Sequence, residues 1–199
     1  MILFKYVSTF CIHCVQIVYN IQEFLMTKRV EVEVSENSSY TDMTREFYRI
    51  FKQPMPKEGT KATFDESVFP EDRVHLKMNL IAEEFAELVE AVYGKKAAAI
   101  IESAFDKAVK VDEFNRDIVA AADATGDLRF VLDGFDIEAA IPTEKVFEEV
   151  FNSNLTKLDE NGEPILADGT GSAPLNKIIK SELFEEPDFA RVLKENVAR

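Results

Sequence analysis

Tryptophan is absent from this 199-residue chain, and histidine and cysteine occur only twice each. His13 and His75 are the only imidazoles, and neither belongs to a candidate Ser-His-Asp set. The two cysteines, Cys11 and Cys14, sit together near the N-terminus, which excludes a disulfide-stapled secreted scaffold. A cytoplasmic protein is the expectation. Positive charge is scarce as well: 23 Lys and Arg face 37 Asp and Glu, for a net charge of −14. A nucleic-acid binder needs a basic surface to displace phosphate counterions, so no nucleic-acid partner is expected. Small phosphorylated substrates stay open, because a divalent metal can supply the positive charge that the protein lacks. A glycine-rich phosphate loop is missing, since Gly169-Thr-Gly171 has neither the lysine nor the spacing of one. Long hydrophobic runs are missing too. Phe10–Phe24 is interrupted by His13, Gln16, Asn20, Gln22 and Glu23, too short and too polar to span a bilayer, and no membrane partner is expected.

What is present is ordinary globular material, 46% hydrophobic and 30% charged, with 16 phenylalanines to carry the aromatic packing. Residues 1–39 read as a flexible extension. Cys11-Ile-His-Cys14 has metal-ligand or redox spacing, but one such pair without a second is a weak signal. Met26-Thr-Lys-Arg is a more typical polar start than Met1, and Val30–Val34 is the main strand-like segment. Residues 40–158 read as an all-α domain and 159–199 as an irregular arm with a short terminal helix. A first helix, capped by Thr41 or Asp42, runs through Phe51 with Met43, Phe47, Ile50 and Phe51 on one face. Gln53–Phe69, with two prolines and a glycine, is a loop. Helices follow at Pro70–Val92, Lys95–Lys110, Asp117–Asp133 (ended by Gly134), Thr143–Lys157 and Pro187–Val197.

Two of these helices carry acids in unusual places. On Pro70–Val92 the stripe Ile81, Phe85, Leu88 and Val92 is the expected core face, and Glu83 and Glu90 point roughly opposite. Glu84 and Glu87 share a flank that also holds Leu80 and Ala91. On Asp117–Asp133, Asp123 and Asp127 are spaced i,i+4, about 40° apart around the axis, on the face of Val119, Ala120, Phe130 and Val131. A carboxylate on a packed face must be hydrogen-bonded, protonated or bound to a cation. Were the two helices antiparallel neighbours, Glu84, Glu87, Asp123 and Asp127 would converge. Hard oxygen donors of that kind suit Mg²⁺, with Mn²⁺ as an alternative. The bland readings are helix capping, pairing with Lys77 or Arg73, and exposure at a bundle end.

The pattern Glu83-Glu84-x-x-Glu87, then Asp123-Ala-Thr-Gly-Asp127, then Ser153-Asn154-Leu-Thr156-Lys157 with Gly162-Glu-Pro164-Ile165, resembles the MazG-like and phosphoribosyl-ATP pyrophosphohydrolase-like superfamily. The resemblance covers about Tyr40 to Ile165. It implies an all-α four-helix-bundle fold within a homodimer or homotetramer. It also implies Mg²⁺-dependent hydrolysis of a nucleoside triphosphate to monophosphate and pyrophosphate. By the same resemblance Glu84, Glu87 and Asp123 are metal ligands and Asp127 lies in or just beyond that shell. Glu83 is a ligand or positions the attacking water, so Glu83, Glu84 and Glu87 form the catalytic set. Asn154 and Lys157 contact the substrate. One departure stands out: the family's glutamate three residues before Asp123 is Ala120 here, and Asp117 lies about 120° from that aspartate's direction. A nucleotide-binding or interaction protein of the same fold with impaired catalysis is therefore the alternative reading.

Overall fold

The computed structural model describes residues 39–196. Cys11, Cys14, Met26 and Val30–Val34 lie outside them. Six helices follow one another among the described residues: α1 (Tyr40–Ile50), α2 (Glu71–Tyr93), α3 (Lys95–Lys110), α4 (Ile118–Glu138), α5 (Thr143–Leu155) and α6 (Phe189–Glu195). The all-α class holds, and no helix among the described residues is long and apolar enough to cross a membrane. The chain divides into two compact units. One holds the described residues up to Met55, Ala140–Ile165 and those from Ile178 on; the other holds Pro56–Ala139 and Leu166–Lys177.

The first unit closes on itself. Ser39, not Thr41 or Asp42, caps α1: its hydroxyl accepts from the Asp42 N–H at 3.2 Å while the Asp42 carboxylate accepts from the Ser39 N–H. The two residues thus form a reciprocal capping box. The expected apolar face follows, with Met43 and Phe51 buried and Phe47 stacked on Phe51 at 4.2 Å. Tyr40 stacks on Phe147 at 4.6 Å and joins α1 to α5. Phe151 and Leu158, from α5 and its exit, and Val192 of α6 complete this core. Glu149 fastens α6, accepting from the Asp188 N–H at 2.8 Å and from Arg191 at 2.7 Å.

The second unit is built on a helical hairpin. Gly94 ends α2 and opens α3 with φ +89 and ψ 168, a conformation that side chains rarely adopt, so a single residue turns the chain. α2 and α3 pack together, and their fully buried residues include the small Ala86 and Ala98. α4 runs on through Gly134 to Glu138, past the expected end. A glycine costs only about 1 kcal/mol inside a helix. The chain breaks instead at Ala140, with φ +55, ahead of Pro142.

α4 packs along no other helix among those described. None of its residues is buried, although Val119, Phe130, Val131 and Ile137 are between 61% and 80% exposed. The stripe expected to be core on α2 is also uncovered: Ile81, Phe85 and Val92 are about half exposed, and only Leu88 is partly shielded. Of the residues α2 does bury, Val74 continues that stripe toward the helix start, and Arg73, Leu76 and Ala86 lie off it. Among the described residues, α2 and α4 therefore keep apolar faces exposed.

Candidate functional site

α2 and α4 carry the predicted acids. Glu83, Glu84 and Glu87 are all exposed along the middle of α2, and Asp123 and Asp127 are exposed on α4. The helical spacing within each pair is as the sequence implies, because both segments are uninterrupted helix. The two pairs do not meet within the chain. Among the described residues the one group of three acidic or histidine side chains close enough to share an ion is Glu71, His75 and Asp112. The condition under which the four carboxylates would converge, α2 and α4 as packed neighbours, is not met among the described helix contacts. The expectation that Asp123 and Asp127 face a packed surface is corrected, since Val119, Phe130 and Val131 are uncovered with them. The cause lies in the connection: α2 packs on α3, its immediate neighbour across Gly94, and α4 packs along no other helix among those described.

Asp117 has a task of its own. It is the N-cap of α4, accepting from the backbone N–H groups of Val119 at 2.9 Å and Ala120 at 3.0 Å. It does not stand in for the carboxylate that Ala120 lacks.

Glu83 is engaged. Both of its carboxylate oxygens accept from the Lys177 ammonium, at 3.0 and 2.9 Å. The two residues are 94 positions apart, so nothing in local spacing could reveal the pair. A second polar cluster that sequence reasoning missed lies at the start of α2. Arg116, just before α4, donates to both oxygens of Asp112 at 2.8 and 2.6 Å and also to Glu71, which His75 approaches at 3.1 Å. His75 thus lines the helix start. Hydrogen bonds from Arg116, then from the Phe114 N–H, hold the Asp112 carboxyl well below the usual carboxylate range, and hydrogen bonds to Asp112, then to Glu71, push Arg116 up. The cluster already has its cation in Arg116, whose guanidinium bonds both carboxylates that an ion would use. Its chemistry is that of a tether between the first turn of α2 and the approach to α4.

The Ser153–Lys157 segment at the end of α5 divides its labour by helical spacing. Ser153 donates to the Glu185 carbonyl at 2.7 Å, and the Thr156 hydroxyl accepts from the Glu185 N–H at 2.9 Å. The Thr156 and Leu158 carbonyls accept from Ser181. Ser153 and Thr156 therefore moor the arm. Asn154 and Lys157, one position further on, are partly exposed, and the Lys157 ammonium stands 5.6 Å from the Phe184 ring centre. Beyond them Asp159 accepts from the N–H groups of Asn161 and Glu163, shaping the turn at Gly162.

The donor set on α2 and α4 is all carboxylate oxygen, which suits a hard divalent cation, and no lysine or arginine is bonded to Asp123 or Asp127 among the described contacts. Residues able to hold such an ion are thus present on both helices, although one chain does not gather them.

Residues 44–154 match the phosphoribosyl-ATP pyrophosphohydrolase family. No protein of curated function matches the sequence. The fold is similar to the crystal structure of a provisionally named NTP pyrophosphohydrolase from Exiguobacterium sp. 255-15. The TM-score is 0.55 at 23% identity, covering 79% of this chain and 94% of that one. The matched segment takes in both acidic helices and α5 up to Asn154, more than half of the chain, and on that ground the protein belongs to the phosphoribosyl-ATP pyrophosphohydrolase family.

Proposed function

We propose that the protein is a Mg²⁺-dependent nucleoside triphosphate pyrophosphohydrolase whose carboxylate site is completed when two copies associate. One observation carries the reading: both acid-bearing helices keep large apolar side chains exposed among the described residues, α2 at Ile81, Phe85 and Val92 and α4 along much of its length. On α4 the large side chains Val119, Phe130, Val131 and Ile137 are mostly exposed. Covering each would contribute roughly 1.5–3 kcal/mol. Gly126 and Gly134 add to the case, because a Cβ built on either would meet nothing within 4 Å. Two glycines weaken a helix, and nothing among the described residues uses their smallness. A second copy packing over α2 and α4 would bury the apolar residues and bring carboxylates from different helices together.

In such an assembly Glu84, Glu87 and Asp123 would hold the ion, with Asp127 beside them. When bound, a divalent cation neutralises phosphate charge and lowers the pKa of a nearby water. The side chains' own part is positioning, which is most of what phosphoryl chemistry asks of a protein. Asn154 offers an amide and Lys157 a cation to the substrate. The chemistry is cleavage between the α and β phosphates of a (d)NTP, releasing pyrophosphate and the monophosphate and clearing surplus or noncanonical nucleotides.

A second reading rests on Ala120. With the family's glutamate gone and Asp117 committed to capping, the protein could retain nucleotide binding with little turnover. Pyrophosphate release from a panel of dNTPs, with and without Mg²⁺, separates the two. Metal-dependent release supports the hydrolase. Nucleotide binding without release favours the second reading, and neither binding nor release rejects both.

A further inference from the structure

Lys177 reaches the acidic face of α2 from a turn that is built to deliver it. The Ala167 N–H donates to the Lys177 carbonyl at 2.9 Å, and the Asn176 N–H donates to the Ala167 carbonyl at 2.9 Å. The Lys177 N–H donates to the Pro174 carbonyl at 3.0 Å, and Asn176 takes φ +65. The turn is thereby closed on both sides of the lysine. Its side chain is 31% exposed, against 51% for Glu83, and it spans both oxygens of that carboxylate. An ammonium seated on both oxygens fixes the carboxylate's rotation and occupies the lone pairs that an ion would use. Glu83 lies one turn before Glu87 on the same side of α2, so Lys177 also offsets repulsion between the two.

We infer that Lys177 is a positioning residue that holds Glu83 out of the metal's coordination shell, leaving Glu83 to orient the attacking water while its neighbours bind the ion. This inference rests on the hydrolase reading above and settles which of the two roles Glu83 takes within it. A purely structural ion pair would be worth little at such exposure, and its loss would scarcely move the melting temperature.

The test is Mn²⁺ titration of the full-length protein, followed by the electron paramagnetic resonance of free Mn²⁺ in the absence of nucleotide. Lys177→Gln should tighten Mn²⁺ binding about 3–10-fold, because a freed carboxylate adds ligand charge. Lys177→Arg should leave the affinity unchanged. In a Glu83→Gln background, Lys177→Gln should have no effect, since the cycle then contains no Glu83 carboxylate to release. Turnover gives the second readout. Lys177→Gln should lower kcat about tenfold with KM nearly constant, and Lys177→Arg should restore most of it.

Unchanged Mn²⁺ affinity in Lys177→Gln, with wild type binding and hydrolysing normally, would overturn the inference and leave the hydrolase reading standing. A tightening that persists in the Glu83→Gln background would also overturn it, by showing a general charge effect. Absence of Mn²⁺ binding in the wild type would overturn both.

Discussion

The unit around α1, α5 and α6 and the unit around α2, α3 and α4 treat their apolar residues in opposite ways. The first buries them: Met43, Phe51, Phe151, Leu158 and Val192 are each 5% exposed or less. The second buries little beyond Val74, Leu76 and two alanines, and leaves Ile81, Phe85, Val119, Phe130 and Val131 open. Both are cut from the same 46% hydrophobic chain, so composition does not separate them. What differs is how far the helix faces are covered among the described residues: α2 packs on α3 yet keeps Ile81, Phe85 and Val92 open, and α4 packs along no other helix.

The largest expected effect is on the open unit. Glu87→Gln should reduce pyrophosphate release by more than ~100-fold, beyond the losses typical of residues that merely support a metal ligand. Retained turnover would remove α2 from the site. The closed unit should respond through stability instead. Phe151→Ala should cost about 3–5 kcal/mol in urea unfolding, the usual loss for a buried phenylalanine, while Mn²⁺ affinity stays unchanged. A change in metal affinity would break the separation between the two units.

A smaller effect is expected from the Arg116 tether. The Asp112 carboxyl lies below its ordinary 3.8 in the folded protein, so its contribution to stability is present above that value and is lost as pH falls toward the folded one. Melting temperatures should therefore drop more steeply for wild type than for Arg116→Gln between about pH 4 and pH 2. Parallel curves would show that the tether contributes nothing. Smallest is Ala120→Glu, which should raise metal affinity or turnover a few-fold if the missing ligand limits either. No gain in both would clear Ala120 as the cause of any weak activity.

Much of this was legible in the sequence, and the rest was hidden for identifiable reasons. Helix identity followed from apolar period and from Pro and Gly punctuation, and α3 falls at its expected bounds. The boundaries differ at Gly134, a glycine that α4 tolerates in its interior, and at Ser39, which caps α1 ahead of Thr41. The i,i+3 and i,i+4 relations of Glu84, Glu87, Asp123 and Asp127 are properties of single helices and could be read directly. Which helix lies against which is not such a property. The stripe Ile81-Phe85-Leu88-Val92 signals that something covers α2, but not whether that cover belongs to the same chain. Lys177 and Arg116 act across long sequence separations, and no local spacing announces either.

The mass of the active species tests the central claim most directly. Sedimentation or light scattering at the micromolar concentrations of the assay should give a multiple of 22.6 kDa, and Phe130→Glu should lower that mass and abolish turnover together. A 22.6-kDa monomer that still releases pyrophosphate with Mg²⁺ would contradict the account.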